Sequence, residues 1–155
     1  RYEADNGLVI AYGSMYGNTE ELADIIAYEA AANGVKDIVM HNVSKSHESD
    51  IIRDVFKYKG LILGSPTYNN KLYPAVESLI NSLQSRNLKN RYFGCFGGHS
   101  WSDATAKNFK AFADTMEFEL VTEPVVMKHG ALSDVQDTAS ELGKSMAKLL
   151  GYKQQ

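Results

Sequence analysis

Apolar runs and amphipathic stretches alternate from one end of the chain to the other. Leu8-Val9-Ile10-Ala11-Tyr12 is a continuous apolar run closed by Gly13, the pattern of a strand buried on both faces of a sheet. Leu22, Ile25 and Ile26 then recur at helical spacing, backed by Ala23, Ala27, Ala30 and Ala31, until Asn33-Gly34 stops the helix. Ile38-Val39-Met40 predicts a second strand, and Asp50 to Tyr58 a second helix with Ile51, Ile52, Val55 and Phe56 on its apolar stripe. Leu61-Ile62-Leu63-Gly64 is the third strand. Val76, Leu79, Ile80 and Leu83 mark a third helix, opened by Pro74 near its first turn. Tyr92-Phe93-Gly94-Cys95-Phe96 is the fourth strand, followed by a helix around Phe109, Phe112 and Met116. Leu120 to Met127 predicts a fifth strand interrupted by Pro124, which suits a sheet edge. Ser133 to Leu150 is the last helix, with Leu142, Met146, Leu149 and Leu150 inward.

Five strand–helix units in strict alternation predict an α/β fold: one doubly wound, five-stranded parallel sheet with helices on both faces. At 155 residues the chain suits one domain, and it shows no internal repeat, low-complexity tract or interior linker. Residues 1–6 read as a polar lead-in, or the end of a linker from a preceding domain, and residues 7–155 as the domain itself. Sixteen basic against nineteen acidic residues leave a formal charge of −3, which argues against a nucleic-acid binder relying on broad positive charge. The single cysteine, Cys95, excludes an internal disulfide framework and an all-cysteine zinc site within the chain. No apolar run approaches the roughly 20 residues of a membrane helix, and no signal peptide opens the sequence. The expected setting is cytoplasmic.

In open α/β sheets ligands bind beyond the carboxyl ends of the strands. The first such loop, Gly13-Ser14-Met15-Tyr16-Gly17-Asn18-Thr19, places two hydroxyls, an amide and a glycine before a helix N-terminus, a cradle for an anion. It holds no Lys or Arg, so neither a Walker loop nor a G-x-G-x-x-G dinucleotide loop is present. The competing reading is a capped helix start with Ser14 or Thr19 as N-cap. After the third strand comes Gly64-Ser65-Pro66-Thr67-Tyr68-Asn69-Asn70-Lys71-Leu72-Tyr73-Pro74, an aromatic among turn formers between two prolines. Such a segment is a flat surface for a ligand, or a surface turn with a partly buried tyrosine. The fourth-strand loop, Phe96-Gly97-Gly98-His99-Ser100-Trp101-Ser102-Asp103, carries the one tryptophan. Its two glycines allow close backbone approach. One phosphate cradle and two aromatics at one sheet edge suit a phosphorylated planar heterocycle.

Ser14-Met15-Tyr16-Gly17-Asn18-Thr19 resembles the FMN-phosphate loop of flavodoxins, T/S-x-T-G-x-T, with Tyr16 in place of the middle threonine. Taken with G-S-P-T-Y-N-N and a tryptophan loop after F-G, it is similar to the flavodoxin-like domain of flavodiiron proteins over about residues 7–150. The third motif departs from the family's G-S-Y-G-W-S-G at Gly98, His99, Ser100 and Asp103. The resemblance implies FMN as cofactor, bound by Ser14, Met15, Tyr16, Gly17, Asn18, Thr19, Pro66, Thr67, Tyr68, Asn69, Asn70, Phe96, Gly97, Gly98, His99 and Trp101. It implies stacking on Tyr68 and Trp101, and a peptide after Tyr68, at Asn69 or Asn70, that turns to meet the protonated flavin N5. It further implies electron relay to a di-iron oxygen or nitric oxide reductase site in a preceding domain, exchange with a rubredoxin-like or reductase partner, and a head-to-tail homodimer. His41, His47, His99 and His129 form no H-x-E-x-D or similar cluster, so no metal site or catalytic residue is assigned to this chain. A lone histidine of this kind is expected to be solvated or hydrogen-bonded.

Other classes fit less well. A cysteine phosphatase needs C-x5-R, and Trp101 stands where the arginine belongs. A phospho-acceptor receiver needs acidic residues after the first strand, where Gly13 and Ser14 stand. A stand-alone flavodoxin and an FMN-dependent NAD(P)H:quinone reductase both remain open.

Overall fold

The computed structural model describes residues 4–14, 18–68, 71–86, 88–97, 103–126 and 136–151. The elements are β1 (Asp5–Tyr12), α1 (Asn18–Ala32), β2 (Ile38–Asn42), α2 (Glu48–Lys57), β3 (Tyr58–Gly64), β4 (Thr67–Tyr68), β5 (Lys71–Leu72), α3 (Pro74–Gln84), β6 (Tyr92–Gly97), α4 (Asp103–Met116), β7 (Glu119–Leu120), β8 (Val125–Val126) and α5 (Gln136–Leu149). The main sheet is parallel in the order β2-β1-β3-β6-β7, with β8 also pairing β6. It is the expected doubly wound α/β sheet, its fifth strand split in two.

The period-2 geometry of a strand sends alternate side chains to opposite faces. Val9, Ala11, Leu61, Leu63, Phe93 and Cys95 face α2, α3 and α4, where Phe93, Phe109, Phe112 and Phe118 form an aromatic cluster. Leu8, Ile10, Tyr12, Ile62 and Phe96 face α1 and α5. Both faces of β1 and β3 are thus buried, which explains their continuous apolar runs.

The predicted punctuation works as expected. Gly34 takes φ 102°, and the Val35 N–H donates to the Ala30 carbonyl at 3.1 Å, closing α1 in a Schellman-type turn. Pro74 occupies the first turn of α3. Four differences from the sequence reading have clear causes. Tyr58 begins β3 rather than ending α2, because its ring packs into space left by Gly7 on β1. The fifth strand is two dipeptides, since Pro124 lacks an N–H to continue a ladder. Leu149 is exposed, whereas Leu150 is buried as expected, because Leu149 ends the helix on its outer side. Finally, β4 and β5 form an antiparallel hairpin, pairing Thr67 with Leu72 and Tyr68 with Lys71, where a loop was expected. Its first and second strands are two residues each, too short for an alternating pattern to register. The start expected for α5 at Ser133 lies outside the described residues.

Candidate functional site

The central strands end level, and backbone hydrogen bonds carry the sheet one step past the last paired residues. The Val43 N–H donates to the Tyr12 carbonyl at 2.9 Å, Gly13 N–H to Gly64 O at 3.0 Å, and Ser65 N–H to Phe96 O at 3.1 Å. The segments after β1, β3 and β6 therefore leave the sheet side by side. Ser14, Thr19, Pro66, Thr67, Tyr68, Phe96 and Gly97 are all brought to this one edge. Met15, Tyr16, Gly17, Asn69, Asn70, Gly98, His99 and Trp101 lie outside the described residues. Asn18 opens α1.

Helix α1 runs antiparallel to β1, so its N-terminus, with free backbone N–H groups and a partial positive charge, faces the same edge. Glu20 and Glu21 in its first turn complement that charge. The hydroxyl of Tyr12, at the end of β1, donates to the Glu20 carboxylate at 3.3 Å and bridges the two ends of the first loop. Burial, then the Glu20 charge, hold the Tyr12 phenol above its ordinary pKa. Thr19 lies inside the first turn and Ser14 ahead of the helix. Thr19 is only 3% exposed, and its hydroxyl has no hydrogen-bond partner among the described residues.

The third loop is held by residues that carried no signal in the sequence reading. Ser65 is fully buried; its hydroxyl donates to the Pro66 carbonyl at 2.8 Å and accepts from the Tyr73 N–H at 2.9 Å. Tyr73 reaches back across the edge. Its hydroxyl meets the Ser44 Oγ at 3.2 Å, and its ring lies against Gly13, where an added Cβ would stand 2.7 Å from Cδ2. Only glycine allows that approach. Phe96 contributes backbone alone to the edge, because its ring is buried over Gly64.

The histidine His41 is hydrogen-bonded on both ring nitrogens, to Asp54 at 2.7 Å and Ser46 at 2.9 Å. Among the described residues no three His, Cys, Asp or Glu side chains gather as a metal site would need, and no helix is long and apolar enough to cross a membrane.

The flavodoxin family profile matches residues 10–147. The anaerobic nitric oxide reductase flavorubredoxin of Escherichia coli O1:K1 is 29% identical over 120 residues, which cover 77% of this chain and 25% of that protein. Rubredoxin oxygen:oxidoreductase from Desulfovibrio gigas superposes with a TM-score of 0.89 at 25% identity, over 96% of this chain and 37% of that one. Flavodoxin 1 of Bacillus cereus shares the fold, with a TM-score of 0.79 at 22% identity over 92% of this chain and 97% of its own. The chain thus spans about a quarter of the length of the flavorubredoxin it matches. The fold and these flavodiiron relatives imply FMN as the cofactor. The edge fits that group, since hydroxyls and helix N–H donors suit a phosphate. On sequence profile and architecture together, the chain belongs to the flavodoxin family.

Proposed function

We propose that the chain is an FMN-binding electron-transfer domain that serves a di-iron oxygen or nitric oxide reductase site in a preceding domain. The observation that carries the reading is the alignment of the ends of β1, β3 and β6 by backbone hydrogen bonds, at the sheet edge where α1 starts with the buried Thr19 in its first turn. Bound FMN supplies one- and two-electron redox chemistry. This chain's residues do the rest. Ser14 and Thr19 hydroxyls and the α1 N-terminus hold the phosphate without a cation. Segments 66–70 and 96–101, with Tyr68 and Trp101, would hold the ring at the β3 and β6 ends. The flavodiiron relatives, of which the chain spans only part, support a di-iron partner domain and a rubredoxin-like or reductase partner as donor.

The experiment is flavin titration of the purified chain, read by visible absorbance and by emission of the single tryptophan. The reading expects a stoichiometric flavin spectrum and quenched Trp101 emission, restored when FMN is removed. Unchanged emission would exclude Trp101 from the site, and absence of flavin binding would overturn the reading. Bleaching of the bound flavin by NAD(P)H alone would move the chain to the quinone reductase class.

A further inference from the structure

Ser65, the residue after β3, is polar and has no exposed surface. Burial of a hydroxyl is tolerated when both its donor and acceptor functions are met. Here both are met by opposite ends of one short hairpin. The hydroxyl proton goes to the Pro66 carbonyl, one residue before β4, at 2.8 Å, and the oxygen accepts from Tyr73, one residue after β5, at 2.9 Å. The Ser65 backbone N–H meanwhile anchors to Phe96 O at 3.1 Å. A hairpin with two paired residues per strand has little stability of its own. Its position is therefore set by its neck, and Leu72, 4% exposed, seats its return strand in the core.

We infer that Ser65 is a positioning residue: its hydroxyl closes the neck of the β4–β5 hairpin and so fixes where that hairpin meets the flavin ring. The inference rests on the FMN reading above. It differs from the phosphate contacts in kind, because it acts on the ring side of the ligand. Loss of the clamp should weaken FMN and riboflavin alike, whereas loss of a phosphate contact weakens FMN alone. Tyr73 extends the effect, since its ring lies on Gly13 at the start of the phosphate loop.

The test compares wild type with Ser65→Ala and with Ser65→Cys, which keeps most of the volume if the alanine variant folds poorly. Amide hydrogen exchange on the ligand-free proteins should rise about tenfold or more across residues 67–73, with β1 and α1 unchanged. FMN and riboflavin dissociation constants should rise by the same factor, and the visible absorption maximum of flavin-saturated protein should shift. Unchanged exchange across 67–73 would overturn the clamp. Faster exchange with unchanged affinity and spectrum would overturn the positioning role, and so would a loss confined to FMN. Wild-type protein that binds neither flavin would overturn the FMN reading and the positioning role with it, while the exchange arm would still register the clamp by itself.

Discussion

At the amino ends of the strands, charged side chains meet one another and the spent ends of helices. Arg91, only 6% exposed, donates from Nε to the Val55 carbonyl at 3.1 Å, from Nη2 to Phe56 O at 3.0 Å and from Nη1 to Lys89 O at 2.8 Å. A guanidinium thus closes the C-terminus of α2, where carbonyls are orphaned and the helix dipole is negative. Beside it, Lys89 pairs with Glu117 at 2.6 Å. At the carboxyl ends the helix starts at α1 instead, and residues 13–19 carry glycine, hydroxyls and an amide but no lysine or arginine. The polarity of a parallel sheet makes both edges inevitable. One edge is completed by the chain itself, and the other carries the N-terminus of α1 with Thr19 buried in its first turn. Stability and binding can be altered separately as a result.

Four substitutions test that separation, from the largest effect to the smallest. Gly64→Ala sits where the Phe96 ring fills the space a Cβ would take. Overpacking of this kind costs about 3 kcal/mol, and because Gly64 O accepts from Gly13 N–H, flavin affinity should fall together with the urea midpoint. Retention of either property would break the link between the core and this edge. Arg91→Ala should lower stability by about 2 kcal/mol, the scale of a charge-assisted hydrogen bond lost from a buried site, while the folded fraction binds FMN as before. A weaker flavin affinity would show that the two edges are coupled after all. Thr19→Ala should weaken FMN about tenfold, or about 1.4 kcal/mol, and leave riboflavin affinity and the urea midpoint almost unchanged. Equal loss of both flavins would remove Thr19 from the phosphate site. Glu117→Gln should alter flavin binding not at all and stability only slightly. The Lys89 hydrogen bond holds the Glu117 carboxyl below its usual value of 4.5, so the native state binds that proton more weakly than the unfolded chain. Its stabilisation is present above that usual value and is lost as pH falls through the lowered one. The small difference between wild type and variant in urea melts should accordingly vanish in acid, and a difference persisting there would assign it to something other than charge.

The strands and helices were legible because their signals are long and repeated. The β1 and β3 runs are apolar throughout since both faces are covered, and Asn33-Gly34 and Pro74 punctuate by backbone geometry that those residue types favour. Tyr58 was misplaced because its strand identity depends on a glycine 51 positions away in sequence, a contact no local window contains. Leu149 ends α5 and Leu150 follows it, and which of them faces inward depends on how the helix end lies on its neighbours. The sheet edge was legible through the glycine and hydroxyl patterns that follow its strands and through the family resemblance. Its supports were not. Ser65 is a serine like any other until the fold brings Tyr73, eight residues later, to its oxygen. Arg91 reads as a surface charge until α2 ends beside it.

The split fifth strand bears on how the molecule behaves in a crowded solution. An exposed strand edge is a template on which another chain can add by backbone pairing, and proteins that stay monodisperse blunt such edges. On the β6 side, β7 and β8 present two residues each, with Pro124 between them, so an incoming strand finds no continuous ladder. On the opposite side β2 offers five residues in succession, Ile38–Asn42, with Met40 36% exposed. Strand-addition aggregation of this domain, under conditions that loosen it, therefore has one direction in which to grow: outward from β2.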